Sequence, residues 1–233
     1  MLDTLELSAP VLAGNEIEVR LLELDRLGDL DMAAALALTA TEQAEYAELR
    51  HPLRRREWLG ARVCLKLMAQ RQGRVASLLD CAVLKDPRGR PRLVFAERPA
   101  IGVVADCSLS HKGRFVCAAT SSAVGSLIGV DIEEISPRLR RLTRQFVHPS
   151  DRLLPSHPED EGLAILWALK EACSKVLGRG LAMPLGGVRC EETAPGVHRV
   201  TTGEQALTGH HTTHDGYAVA LCVGAILSAS ERS

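Results

Sequence analysis

The sequence predicts an α+β fold, pseudo-duplicated into two halves, each a small antiparallel sheet packed with a long helix. Three observations carry that reading. Ala61, Cys64, Leu65 and Met68 recur at i, i+3, i+4 and i+7, one buried stripe of a helix. Ile165, Leu169, Ala172, Cys173 and Val176 repeat the device in the second half. Around each helix lie short apolar runs bounded by turn residues, so both halves read strand, helix, strands. No clear sequence repeat accompanies that order.

The first half, residues 1–122, opens with a strand and continues in a helical stretch from Leu30 to Gln72. Strands follow at Cys81–Lys85, Arg92–Phe95 and Phe115–Thr120, the first two joined by the turn Asp86-Pro87-Arg88-Gly89. Proline second and glycine fourth are sound turn chemistry. The second half, residues 123–233, opens with Leu127–Ile132, a strand by its length and β-branching. A helix from about Gly162 to Leu177 follows, and Gly178 ends it. Short strands close the chain, the last at Tyr217–Val223. At about 150 residues per domain, 233 residues fit one large domain or two small ones.

Composition narrows the function. Hydrophobic residues at 46% and charged residues at 24% are a globular balance, not a disordered one. Aromatics are only 3%, so the core is built from Leu, Val, Ile and Ala. A net charge of −1 argues against a general polyanion binder, and scarce stacking rings argue against a single-strand reader; no nucleic-acid partner is expected. The longest uncharged run, Phe115–Val130, is 16 residues and carries Ser, Thr and Gly, too short and polar to span a membrane. Asp3 and Glu6 stand where a signal peptide would have a basic start. Seven cysteines without a C-x-x-C pair read as buried free thiols in a reducing cytoplasm.

Charge is segregated along the chain. Residues 1–49 hold eleven acids against Arg20 and Arg26. Arg50 to Arg74 then hold eight basic residues and one acid, Glu57. Further basic clusters stand at Lys85, Arg88, Arg90 and Arg92, and at Arg138, Arg140, Arg141 and Arg144. Helical spacing puts Arg55, Arg62 and Lys66 together on a second face of the first long helix. Guanidinium forks match phosphate oxygens, so a small phosphorylated ligand is the expectation.

The chemistry concentrates in the second half. In Gly129-Val130-Asp131-Ile132-Glu133, strand alternation sends Asp131 and Glu133 to one face, about 6 to 7 Å apart along the backbone. On the following helix, Glu171 and Lys175 are four apart on a polar face that Trp167 shares, so that face is expected to pack against the other half. Three carboxylates with no His or Cys among them suit Mg²⁺ or a similar hard cation.

These residues resemble the two signature motifs of the 4′-phosphopantetheinyl transferases, G-[IV]-D-[IVL]-E and then W-x-x-K-E-[AS]-x-x-K-x-x-G-x-G. The second is matched by Trp167-Ala168-Leu169-Lys170-Glu171-Ala172-Cys173-Ser174-Lys175 and Gly178-Arg179-Gly180-Leu181. Ser108-Leu109-Ser110-His111 resembles the family's S-H motif, and Gly89-Arg90-Pro91 its G-K-P turn with Arg for Lys. The resemblance spans about residues 50–182, and the length is that of the surfactin-synthetase type, a monomer of two similar halves.

The resemblance implies transfer of 4′-phosphopantetheine from coenzyme A to a serine of an apo acyl or peptidyl carrier protein, releasing adenosine 3′,5′-bisphosphate. It implies Asp131, Glu133 and Glu171 as ligands of Mg²⁺, or of Mn²⁺. It implies Lys175 on the coenzyme A phosphates, together with Ser110, His111, Lys85, Arg88 and Arg90, and with Arg50 and Arg55 from the basic helix. The family's F-F-x-x-x-E motif, with its proposed general base, is matched by Phe146-Val147-His148-Pro149-Ser150-Asp151, which offers Asp151 in place of Glu. A water held by Glu171 is the other candidate base. The rival reading is a catalytically weak module that binds coenzyme A or carrier protein, which would lose the metal acids; all three are present. A Mg²⁺-dependent kinase would want G-x-x-x-x-G-K-[ST], which is absent. His210, His211 and His214 stand in a Thr- and Gly-rich segment with no Cys or Glu close by, and read as an exposed loop rather than a zinc site.

Overall fold

A computed structural model describes residues 12–13, 16–96, 106–151, 157–180, 183–203 and 205–225. The chain divides into two compact units, residues 1–122 and 123–233. The first carries β1 (Leu12–Ala13), β2 (Ile17–Glu23), α1 (Leu30–Ala37), α2 (Ala40–Ala47), α3 (Pro52–Arg71), β3 (Cys81–Lys85), β4 (Pro91–Phe95), β5 (Asp106–Lys112) and β6 (Phe115–Ser121). The second carries β7 (Ser126–Glu134), α4 (Thr143–Phe146), α5 (Glu159–Val176), β8 (Arg189–Ala194), β9 (Val197–Thr202), β10 (Gln205–His214) and β11 (Tyr217–Ala225). Leu181, the end of the second signature, lies outside the described residues.

In the first unit the sheet order is β1-β2-β6-β5, every pair antiparallel, and β3 and β4 form a separate hairpin. Pro52 opens α3 at a position where its missing N–H costs nothing. The stripe Ala61, Cys64, Leu65 and Met68 is buried, packed in one core with Leu22, Val116 and Ala118 of the sheet. Two of the three residues on the second face of α3, Arg62 and Lys66, are buried. Lys66 is fully buried, its Nζ 2.6 Å from Glu42 Oε2 and 2.7 Å from the Ala37 carbonyl oxygen. Arg62 lies over the Trp58 ring, with Glu42 and Glu45 beside it. Glu42 also accepts from Thr39 N and Val83 N, joining α2, α3 and β3. Lys66 and Arg62 thus belong to an internal ion-pair network around Glu42, in which Lys66 is hydrogen-bonded and Arg62 Nε lies 3.9 Å from Glu42 Oε1. β5, which holds Ser110 and His111, is a strand that the apolar pattern did not announce.

In the second unit five antiparallel strands run β7-β11-β10-β9-β8, and α5 packs on the sheet. The α5 stripe Ile165, Leu169, Ala172, Cys173 and Val176 is buried, and so are Leu163, Ala164, Leu166 and Ala168. Trp167 packs edge-on against Phe146 of α4, ring centroids 5.1 Å apart, inside its own unit. The histidine segment is not an exposed loop: it is β10, and His211 is buried. All seven cysteines are free and buried. No helix among the described residues is long and apolar enough to cross a membrane.

Candidate active site

Gly129 sets the geometry of the second unit. A Cβ placed on it would lie 2.1 Å from the Ala172 carbonyl oxygen and 3.0 Å from Val176 N, so only glycine admits α5 this close to β7. Asp131 and Glu133 are two and four residues along, on the same side of the strand. Glu171 and Lys175 lie on the turns of α5 to either side of Ala172. Lys175 Nζ donates to Asp131 Oδ1 and to the Val130 carbonyl oxygen, both at 2.8 Å. Arg138 Nη2 donates to Glu133 Oε1 at 2.6 Å.

Glu171 is half-buried, and its carboxyl is held above the usual range by burial first, then by the charges of Asp131 and Glu133, with Lys175 opposing. The three acids therefore feel one another, and the cations Lys175 and Arg138 neutralise two of them in part. An all-oxygen donor set with an acid strained towards protonation fits a hard divalent cation, which would supply the missing positive charge.

Asp151 is placed for a different task. Its side chain is fully buried; Lys170 Nζ and His148 N donate to Oδ2, and Cys190 N donates to Oδ1. Lys170, also fully buried, donates further to the carbonyl oxygens of Phe146 and Val188, both at 2.7 Å. This buried pair ties α5 to the segment after α4 and to the start of β8. Asp151, the expected general base, thus has three donors on its two oxygens, all from its own unit.

In the first unit, Ser110 and His111 stand near the end of β5. His111 Nε2 is 2.8 Å from Arg54 Nη1, and its Nδ1 is 3.3 Å from Glu57 Oε1. The β3–β4 turn is closed by Asp86, whose Oδ1 accepts from the backbone N–H groups of Arg88 and Arg90, with Gly89 at φ +80°. Lys85 and Arg88 are exposed there, whereas Arg90 Nη2 donates to buried Asp106 at 2.6 Å. Arg50 is exposed. Arg55 is engaged inside the unit, stacked on Tyr46 with its Nη1 on the carbonyl oxygens of Tyr46 and Leu49. The contact of Arg138 with Glu133 escaped sequence reasoning; its spacing of five residues was the available signal.

The sequence model of the 4′-phosphopantetheinyl transferase superfamily matches residues 127–222, which include Asp131, Glu133, Glu171 and Lys175. Residues 127–222 carry the sequence pattern of that superfamily. Two relatives are from Bacillus subtilis. A 4′-phosphopantetheinyl transferase is 33% identical over 82 residues, 34% of this chain and 35% of the relative. The 4′-phosphopantetheinyl transferase ffp is 32% identical over 129 residues, 49% of this chain and 53% of the relative. The matched stretch thus spans about half or less of these relatives' length. Among solved structures, a holo-(acyl-carrier-protein) synthase from Bacillus anthracis str. Ames in complex with CoA (3′,5′-ADP) is 24% identical, with a TM-score of 0.37 over 42% of this chain and 93% of that one. The Thermotoga maritima holo-[acyl-carrier-protein] synthase is 26% identical, with a TM-score of 0.36 over 42% of this chain and 61% of that one. The superfamily match covers the acids and leaves the basic residues of the first unit outside it.

Proposed function

We propose that the chain is a 4′-phosphopantetheinyl transferase of the two-half, surfactin-synthetase-activating type, an enzyme that moves 4′-phosphopantetheine from coenzyme A to a serine hydroxyl of an apo acyl or peptidyl carrier protein. The observation that carries the reading is the Gly129–Ala172 approach, which gathers Asp131, Glu133, Glu171 and Lys175 around one end of β7. Asp131, Glu133 and Glu171 would hold Mg²⁺, or Mn²⁺, which when bound supplies charge neutralisation to the pyrophosphate.

The residues of the chain account for the rest of the step. The serine oxygen forms a bond to the phosphorus that carries the pantetheine arm, the pyrophosphate bridge breaks, and adenosine 3′,5′-bisphosphate departs. Glu171, with its raised proton affinity, takes the serine proton directly or through a water. Lys175, already at the acids, is the cation nearest the developing charge. Lys85, Arg88, Arg90, Ser110 and His111 are assigned to the coenzyme A phosphates, and the exposed Lys85 and Arg88 are free to reach solvent-borne anions. Arg55 and Asp151 are given structural work instead.

Intact-protein mass spectrometry tests the reading on a panel of apo carrier proteins incubated with the chain, coenzyme A and Mg²⁺. One carrier is expected to gain the mass of one phosphopantetheine arm. Unchanged masses across acyl and peptidyl carriers overturn the assignment.

A further inference from the structure

The outer strands of the second sheet bring three metal-ligating side chains together. Glu192 of β8 pairs with His198 of β9, and His198 pairs with Gly209 of β10, placing His211 two residues along on the same face. Gly209 keeps this point open: a Cβ would lie 2.8 Å from Val200 Cγ2 and 2.9 Å from Leu169 Cδ2, and those side chains would have to shift. The donor atoms of Glu192, His198 and His211 all lie within 4.8 Å of one another. His198 and His211 are 2% and 8% exposed, with His198 Nε2 2.7 Å from His211 Nδ1.

The frame around the trio is built. Gly196, at φ +73° in the β8–β9 turn, donates to Glu192 Oε1 at 3.1 Å and accepts from His211 N at 2.9 Å. The ring of His157 stands edge-on to His211, centroids 5.4 Å apart, with its Nδ1 on Glu161. Burial first, then the charge His211 would carry, pushes the His198 pKa down to about 4, so its imidazole is neutral, the form that ligates.

We propose that Glu192, His198 and His211 bind one transition-metal dication of the zinc class, distinct from the hard-cation site of Asp131, Glu133 and Glu171. Two imidazoles and a carboxylate are a zinc-type donor set, and nitrogen ligands disfavour Mg²⁺. Two nitrogens on a tetrahedral zinc stand about 3.3 Å apart, so the 2.7 Å pair opens by roughly half an ångström to admit the ion. The proton between the rings moves to the other nitrogen of the donor ring, so the imidazoles lose no proton overall. The ion then fastens β8, β9 and β10 together.

The test uses the full chain, free of any histidine tag and stripped with a chelator. Zn²⁺ is titrated by calorimetry, Co²⁺ by its visible absorption, and Tm is read with and without Zn²⁺. One equivalent of either metal and a Zn²⁺-dependent rise in Tm are expected. Glu192→Gln, which changes only a half-buried carboxylate, and His211→Asn are each expected to weaken Zn²⁺ at least about tenfold. Asp131→Asn is expected to leave this equivalent in place. The proposal is overturned by no Co²⁺ band and no Tm shift in the wild-type chain, by wild-type affinity in a folded Glu192→Gln, or by loss of the metal in Asp131→Asn.

Discussion

Gly129 of β7 and Ala172 of α5 meet backbone to side-chain position, 2.1 Å separating the Ala172 carbonyl oxygen from where a Cβ on Gly129 would sit. No rotamer relieves such a clash, because its partner is helix backbone. Gly129→Ala must therefore lift α5 off the strand, and an overpacked site costs about 1–3 kcal/mol. The expected outcome is a lower Tm together with a transfer rate down at least about tenfold, since Glu171 and Lys175 move with the helix. A Tm that falls with the rate unchanged shows that α5 carries no part of the chemistry.

The acids respond to pH in a calculable direction. The carboxyl of Glu171 is raised in the folded state, so it binds its proton more tightly there than in the unfolded chain. Its favourable contribution is full below the unfolded value and is lost as pH rises through the raised one. Metal-free Glu171→Gln should therefore melt above the wild type at pH 7.5, and the gap should close in acid. Differential scanning fluorimetry across that range checks the sign. Mg²⁺ should raise the wild-type Tm more than that of the variant.

Transfer itself should require the cation. Chelation with EDTA is expected to abolish it, and added Mg²⁺ to restore it. Asp131→Ala should cost about a hundredfold or more in rate. Full activity in the chelator sinks the assignment of the three acids.

Breaking the buried pair should look different from removing a catalytic group. Asp151→Asn leaves Lys170 charged in the interior, a loss of about 3–5 kcal/mol. Urea denaturation is expected to show that loss, while the fraction still folded turns over at the wild-type rate. A stable Asp151→Asn with no activity restores Asp151 as a base.

The carrier surface is expected near Glu133. Arg138, Arg140, Arg141 and Arg144 are exposed; Arg140 is held by Asp160 and Glu159, and Arg138 by Glu133. Arg141 and Arg144 are the better probes. Reversing both to Glu should raise the KM for an acidic carrier and leave the KM for coenzyme A unchanged. The wild-type rate at low carrier concentration should fall with added salt. Steady-state kinetics with each substrate varied in turn reads both.

Helix α5 and strand β7 were legible because a periodic stripe and a β-branched run are local signals, and the acids came with them. The polar face of α3 was not. Spacing shows that Arg55, Arg62 and Lys66 share a side, but only the fold shows that Glu42 of α2 covers Lys66 and Arg62. Likewise β10, with Gly209 and three histidines among its ten residues, gives no alternating apolar signal and is made a strand by its partners on both sides. The trio Glu192, His198 and His211 follows from that register, which no local spacing encodes. The Phe146 partner of Trp167, opposite the apolar stripe, was equally beyond local spacing.

Lys170 and Glu171 are neighbours in the chain with unrelated employment. One is sealed in the interior on Asp151 and two carbonyl oxygens, the other stands half-open beside Asp131 and Glu133. Selection can act on them separately. A descendant that kept Lys170 and exchanged Glu171 for glutamine would retain the helix, the sheet and most of the W-x-x-K-E signature, and would be an intact but silent molecule. Sorting working transferases from such pseudoenzymes by sequence therefore turns on position 171 read with 131 and 133, and not on the remainder of the signature.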